Sequence, residues 1–243
     1  MSINWTAHRR EAHEIGRTQE FLRQIVYGGN DGIVTTFAIV AGFAGAQADG
    51  VAQIGGLAVL VFGLANLFAD AVSMGLGEYL SGRSQRDLYR SQRASELREI
   101  AENPEQEARE LHAILVQRGL CEPDARATAE ILTRHPEIMA DLMMTYEFGM
   151  HDPDEDNPAV NGFITFLSFI VFGAVPLVPY FLLDPTDTTF RLSVLATAGA
   201  LAALGLLRWN ATGERLVRTV GETMLVGGTC AAVAYLVGWI VGG

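Results

Sequence analysis

Two groups of residues in this chain could do chemistry, and both are made of oxygen and thioether donors. The first is acidic. Glu96 and Glu99 stand three apart, Glu107 and Glu110 repeat that spacing, and Met143, Met144 and Glu147 follow at spacings of three and four. Residues three or four apart share one face of a helix, so each pair can offer converging oxygens. Carboxylates gathered on a helix bundle are how di-iron proteins hold their metals. The plainer reading is a solvated helix surface, because Glu is a good helix former. Spacing alone leaves both open. Glu102, Glu105 and Glu130 read as surface charges.

The second group lies in apolar sequence. Asn66, Asp70, Met74 and Glu78 recur every fourth residue and form one polar and thioether stripe along a helix. Asp31 sits in the stretch Gly28-Gly29-Asn30-Asp31-Gly32, where the glycines are expected to loosen the backbone and free its carbonyls. Interrupted spans of that kind build substrate sites in transporters. An ionisable group inside a membrane is costly unless it is paired, hydrated or functional. Oxygen donors with one sulfur suit Fe(II), and less sharply Mn(II). The alternative is that Asn66 and Asp70 bond between helices while Met74 only packs. Glu222 reads as interfacial, and His112, His135 and His151 as isolated surface residues. There is no phosphate-binding loop, no His-Glu-x-x-His and no nucleophile elbow.

The elements that must carry these residues are set by hydropathy. Of 243 residues 49% are hydrophobic, and no charge occurs from Phe163 to Leu183, a run long enough to cross a bilayer as a helix. Five apolar segments can be read: Ile25 to Ala46, Gln53 to Leu80, Phe163 to Leu183, Thr189 to Leu207 and Val220 to Val241. The expected class is therefore all-α, a polytopic membrane protein with five transmembrane helices. Arg9, Arg10, Arg17 and Arg23 precede the first segment, Arg83, Arg86, Arg90 and Arg93 follow the second, and Arg208, Arg215 and Arg218 lie between the last two. Basic residues stay on the cytoplasmic side, which makes the N-terminus cytoplasmic and puts a large insert there too. Residues 1–24 form a cytosolic segment, 25–82 spans one and two, 83–157 the insert and 158–243 the remaining spans. Met1 to Arg23 is polar and shows no signal-peptide core.

The insert reads as helices separated by Asn103-Pro104, Gly119, Pro123-Asp124 and His135-Pro136, with the second span running on into it as one long helix. It carries 17 acids against 9 bases. The whole chain has a net charge of -11, and all 17 bases are Arg, a bias that reports a GC-rich genome. Such acidity disfavours nucleic acid and favours cations. Cys121 and Cys230 suggest neither a disulfide framework nor a metal motif.

The motifs Tyr27-Gly28-Gly29-Asn30-Asp31-Gly32-Ile33-Val34, Ala71-Val72-Ser73-Met74-Gly75-Leu76-Gly77-Glu78-Tyr79-Leu80, Asp141-Leu142-Met143-Met144-Thr145-Tyr146-Glu147-Phe148-Gly149 and Pro176-Leu177-Val178-Pro179-Tyr180 resemble the vacuolar iron transporter family. The resemblance implies a homodimer of five-span subunits with the path between them, moving Fe(II), and Mn(II) as a second ion, out of the cytosol against protons. It implies no cofactor beyond the transported ion. It matches Asp31 and Met74 to metal positions in the membrane path, with Asn66, Asp70 and Glu78 beside them. Glu96, Glu99, Glu107, Glu110, Met143, Met144 and Glu147 fall where the family's cytosolic domain has its metal ligands. Two positions depart: Asn66 stands where some members have an acid, and Asp70 where a small residue can sit. Both bear on ion preference and proton count. A bacterial cell membrane is the expected location, ahead of a vacuolar one. The competing readings are a membrane-anchored di-iron carboxylate oxidase and a metal sensor or buffer. No His follows any of these glutamates at the third position, as such oxidases need, and a mere anchor needs no Asp70.

Overall fold

The computed structural model describes residues 17–45, 52–153 and 157–242. Among them the regular structure is entirely helical. After a turn at Arg17–Glu20 the helices are α1 (Leu22–Gly45), α2 (Ala52–Glu102), α3 (Pro104–Gln117), α4 (Glu122–Leu132), α5 (Pro136–Tyr146), α6 (Pro158–Gly173), α7 (Val178–Leu182), α8 (Asp187–Thr212) and α9 (Leu216–Gly242). They fall into two compact units, one made of Met1–Tyr79 with Ala159–Gly243, the other of Leu80–Pro158.

Four helical segments are long and apolar enough to cross a membrane: Gly56–Glu102, Pro158–Leu182, Asp187–Thr212 and Leu216–Val241. The chain is a multi-pass membrane protein. Large apolar side chains such as Leu225, Trp239 and Val217 lie exposed around α9, which is how a helix looks when its solvent is lipid. Helix α1 has the length for a crossing at 24 residues, but Arg23, Gln24, Asn30 and Asp31 dilute its hydropathy.

Two expectations about backbone are corrected. The glycine-rich stretch around Asp31 does not loosen the helix, since α1 runs unbroken through it. Its glycines serve close approach. A Cβ on Gly28 would stand 2.6 Å from the Thr165 carbonyl oxygen, and one on Gly32 would collide with the Phe169 carbonyl, so α1 lies nearly backbone to backbone on α6. The uncharged run Phe163 to Leu183, in contrast, is not one α-helix. It passes from α6 through a 3-10 turn at Val175–Leu177 into α7. Pro176 and Pro179 have no N–H to continue the ladder, and the Ser193 hydroxyl donates to the Pro176 carbonyl at 2.6 Å.

In the same unit α1 packs on α8 and α9. Ile33 with Leu201 and Leu204, and Phe37 and Val40 with Leu177, form its buried core. Thr186 caps α8 through a reciprocal box with Thr189, and Gly213 at φ +66° ends it.

The second unit is built as its breakers direct. Pro104, Pro123 and Pro136 each stand in the first turn of a helix, where a missing N–H costs nothing. Gly119 at φ +107° turns the chain after α3. Ile100, Leu111, Leu115, Ala125, Ala129, Met139, Ala140 and Met143 make one core.

Candidate functional site

In the second unit the seven candidate residues come from three helices. Glu96 and Glu99 stand on α2, Glu107 and Glu110 on α3, Met143 and Met144 on α5, and Glu147 caps the end of α5. Glu96 and Glu107 are only 2% and 3% exposed, so these two are not a solvated helix surface. Met143 and Met144 are wholly buried, whereas Glu99 and Glu147 remain open to solvent.

Acids held this close disfavour one another's charge. Burial, then the charges of Glu107 and Glu147, a hydrogen bond with Glu107 and the charge of Glu99 push Glu96 up to about 8. Glu107 is raised by burial and by Glu110, against a hydrogen bond from Glu96 that favours its charge. Both carboxyls of the pair are thus held toward their neutral forms. Glu147, open to solvent on one side, is raised by the partial burial of its carboxyl and then by Glu110, Glu107 and Glu99. Gln106 donates to Glu110 at 3.0 Å. The five glutamates form one electrostatic cluster beside two thioethers. Among the described residues no three His, Cys, Asp or Glu side chains already form a metal cage.

One contact set that the sequence gives no sign of docks α5. Arg93, one turn before Glu96, donates through Nε to Asp141 at 2.8 Å and through Nη2 to Glu137 at 2.7 Å. Arg118, at the end of α3, lies 4.4 Å over the ring of Tyr146. Two arginines outside the cluster thus hold the helix that carries Met143, Met144 and Glu147.

In the first unit Asn66 donates to Asp70 at 2.7 Å, and Asp70 stands near enough to Asp31 for their charges to interact. This brings Asp31 of α1 and the α2 stripe together. The stripe is not straight, because four residues overshoot one helical turn by about 40°. Asn66 faces an open apolar groove of about 880 Å³ with Ile39, Phe43, Phe62 and Val237. Met74 packs beside Phe166 and Phe169. Glu78 meets the start of α1, where Gln24 Nε2 is 3.4 Å and Arg23 Nη2 3.7 Å from its carboxylate. Gln24 and Arg23 were not singled out by spacing, and the only available signal was a polar pair at the very start of an apolar run.

The remaining candidates lie apart. Glu102, Glu105 and Glu130 are exposed. Glu222 pairs with Arg208 and Arg218. His135 and His151 are exposed, and the partly buried His112 sits 2.9 Å from Glu122. Cys121 and Cys230 are free and exposed.

The model of the VIT family matches residues 22–239. The chain is 32% identical over 222 residues to vacuolar iron transporter 1 of Arabidopsis thaliana, spanning 91% of this chain and 86% of the relative. It is 33% identical over 216 residues to vacuolar iron transporter 1 of Oryza sativa, spanning 89% and 83%. With the vacuolar iron transporter of Toxoplasma gondii it shares 32% identity over 242 residues, spanning 96% and 78%. The chain belongs to the VIT family.

Proposed function

We propose that this protein transports Fe(II), with Mn(II) as a second ion, out of the cytosol in exchange for protons. The observation that carries the reading is that Asp31 and Asp70, on two helices of the membrane-crossing unit, are close enough for their charges to interact. Among the described residues neither acid has a basic partner. Two such acids are costly in a membrane unless a cation or protons neutralise them. Asn66, Met74 and Glu78 extend that donor line along α2, and its mix of oxygen and sulfur suits Fe(II) and Mn(II). The names of the relatives point to iron.

A carboxylate away from water favours its protonated form, and a bound cation favours the charged one. The same acids can therefore carry metal one way and protons the other. The insert, residues 83–157, captures the ion on Glu96, Glu99, Glu107, Glu110, Met143, Met144 and Glu147 and raises its concentration at the entrance. The basic residues that follow the second span, Arg83, Arg86, Arg90 and Arg93, support a cytosolic location. Helix α1 makes the fifth crossing, because its Asp31 must meet Asp70 inside the bilayer. The subunit works as a homodimer: the groove beside Asn66 is apolar and open, and a second copy covering it would bring two such lines face to face.

The test is anaerobic uptake of Fe(II) by proteoliposomes. Asp31→Ala abolishes flux, whereas replacing the insert's glutamates by Gln raises the half-saturating concentration and leaves flux at saturating metal largely intact. Equal loss of maximal flux from both sets would refute this division.

A further inference from the structure

The start of α1 carries a buried amide that the ion line as described so far does not use. Gln24 is 6% exposed. Its Nε2 faces Glu78 Oε1, and its Oε1 is buried with no hydrogen-bond partner among the described residues. A buried amide oxygen without a donor is costly and uncommon in folded proteins. The side chain of Glu78 is 16% exposed, while its other neighbour, Arg23, is 73% exposed. Both contacts are loose. At 3.4 Å and 3.7 Å they exceed the roughly 2.7–2.9 Å of a well-made charged hydrogen bond.

We propose that Gln24 and Glu78 form a subsite for a hard divalent cation, closed by Arg23 when no ion is bound. The proposal rests on the reading of Asp31 and Asp70 as the ion path. Half a turn about the last side-chain bond of Gln24 exchanges its nitrogen for its oxygen with no backbone movement. The amide oxygen then faces the carboxylate across a gap close to the present 3.4 Å. Adjacent oxygens around an octahedral ion with bonds of about 2.1 Å lie about 3 Å apart, so the pair spans one edge of such a shell. Arg23 can withdraw into water as the ion arrives, because most of its side chain is already there.

The position on the two helices supports the same assignment. Gln24 and Asp31 are seven residues apart on α1, about 10.5 Å along its axis, and lie on one face. Glu78 and Asp70 are eight apart on α2, about 12 Å. The contact of Gln24 with Glu78 at one end and the charge interaction of Asp31 with Asp70 at the other, with the numbering running in opposite senses, make the helices antiparallel here. The Gln24–Glu78 pair is thus the next rung of the ladder whose first rung is Asp31 and Asp70.

Transport by the full-length protein in proteoliposomes tests this with Fe(II) under anaerobic conditions. Gln24→Leu should raise the half-saturating Fe(II) concentration about tenfold or more with little change in maximal flux. Gln24→Glu should transport with a half-saturating concentration no higher than wild type, and Arg23→Gln should lower it. A structural amide predicts the opposite pattern. Gln24→Leu would then unfold at an equal or higher temperature with unchanged half-saturation, and that result would overturn the subsite. Should Gln24→Leu fail to fold, a raised half-saturating concentration in Gln24→Glu would overturn it as well. Failure of the underlying reading looks different, because Asp31→Ala would then carry the same flux as wild type.

Discussion

Glu96 is a carboxyl group buried among other carboxyl groups, so charging it works against the fold. Its pKa rises from an ordinary 4.5 to about 8. A group raised on folding contributes stability that is complete below its unfolded pKa and is lost as pH rises through the folded value. The metal-free protein should therefore lose thermal stability between about pH 5 and pH 8. Glu96→Gln, which fixes the neutral shape, should flatten that slope and raise the metal-free midpoint at pH 8.5 by about 2–4 °C. Metal binding needs the charged form, so the same substitution should weaken capture, and the midpoint gained on adding Mn(II) should grow from pH 6 to pH 8.5. Thermal unfolding of the detergent-solubilised chain at both pH values, with and without Mn(II), checks all three outcomes. A metal-free midpoint that climbs from pH 5 to pH 8 would contradict the buried cluster. Spacing alone offered Glu96 and Glu107 as either surface or ligand. It could not decide, because their burial depends on the neighbouring helices.

Two helix dockings position the candidate sites. Helix α5 presents Met143, Met144 and Glu147 through contacts made by side chains outside the proposed ligand set. Arg93 reaches Asp141 and Glu137 across more than forty positions of sequence, a pairing no local pattern reveals. Exposed ion pairs contribute modestly, so Arg93→Ala should cost only about 1 kcal/mol of stability. It should nevertheless weaken Mn(II) binding to the insert about tenfold, as loss of a supporting contact does, and Arg93→Lys should restore only part of that, lacking the planar fork. Titration calorimetry on the full-length chain measures this. Unchanged affinity in Arg93→Ala would show that α5 needs no such clamp. The other docking is α1 against α6. Gly32→Leu drives a side chain into the Phe169 backbone, and should lower stability by about 2–3 kcal/mol and reduce flux with it. Normal melting of that variant would mean the helices can separate without cost. The breakers at Asn103-Pro104, Gly119 and His135-Pro136 were legible because each acts locally. The unbroken course of α1 was not, since Gly28 and Gly32 read equally well as flexible positions or as contact surfaces.

Over the whole molecule the division into two units follows the distribution of charge. Apolar runs with few ionisable residues make one unit, and the acidic segment between them makes the other. That much was visible in composition, as were the four crossings in α2, α6 with α7, α8 and α9. The 3-10 turn at Val175–Leu177 escaped because an uncharged run of sufficient length looks like one helix whatever its prolines do. Asp31, Asp70 and Glu78 were legible because ionisable groups in apolar helices need a purpose, whereas the burial of Gln24 depends on the neighbouring helix. The central claim is exchange: divalent metal moves one way as protons move the other. The direct measurement is simultaneous, in proteoliposomes loaded with a pH dye and given Fe(II) without oxygen. The account predicts proton movement opposite to the metal, metal flux that rises with an imposed pH gradient, and loss of both signals in Asp31→Ala. Metal flux at the same rate with no gradient and no proton movement would contradict it.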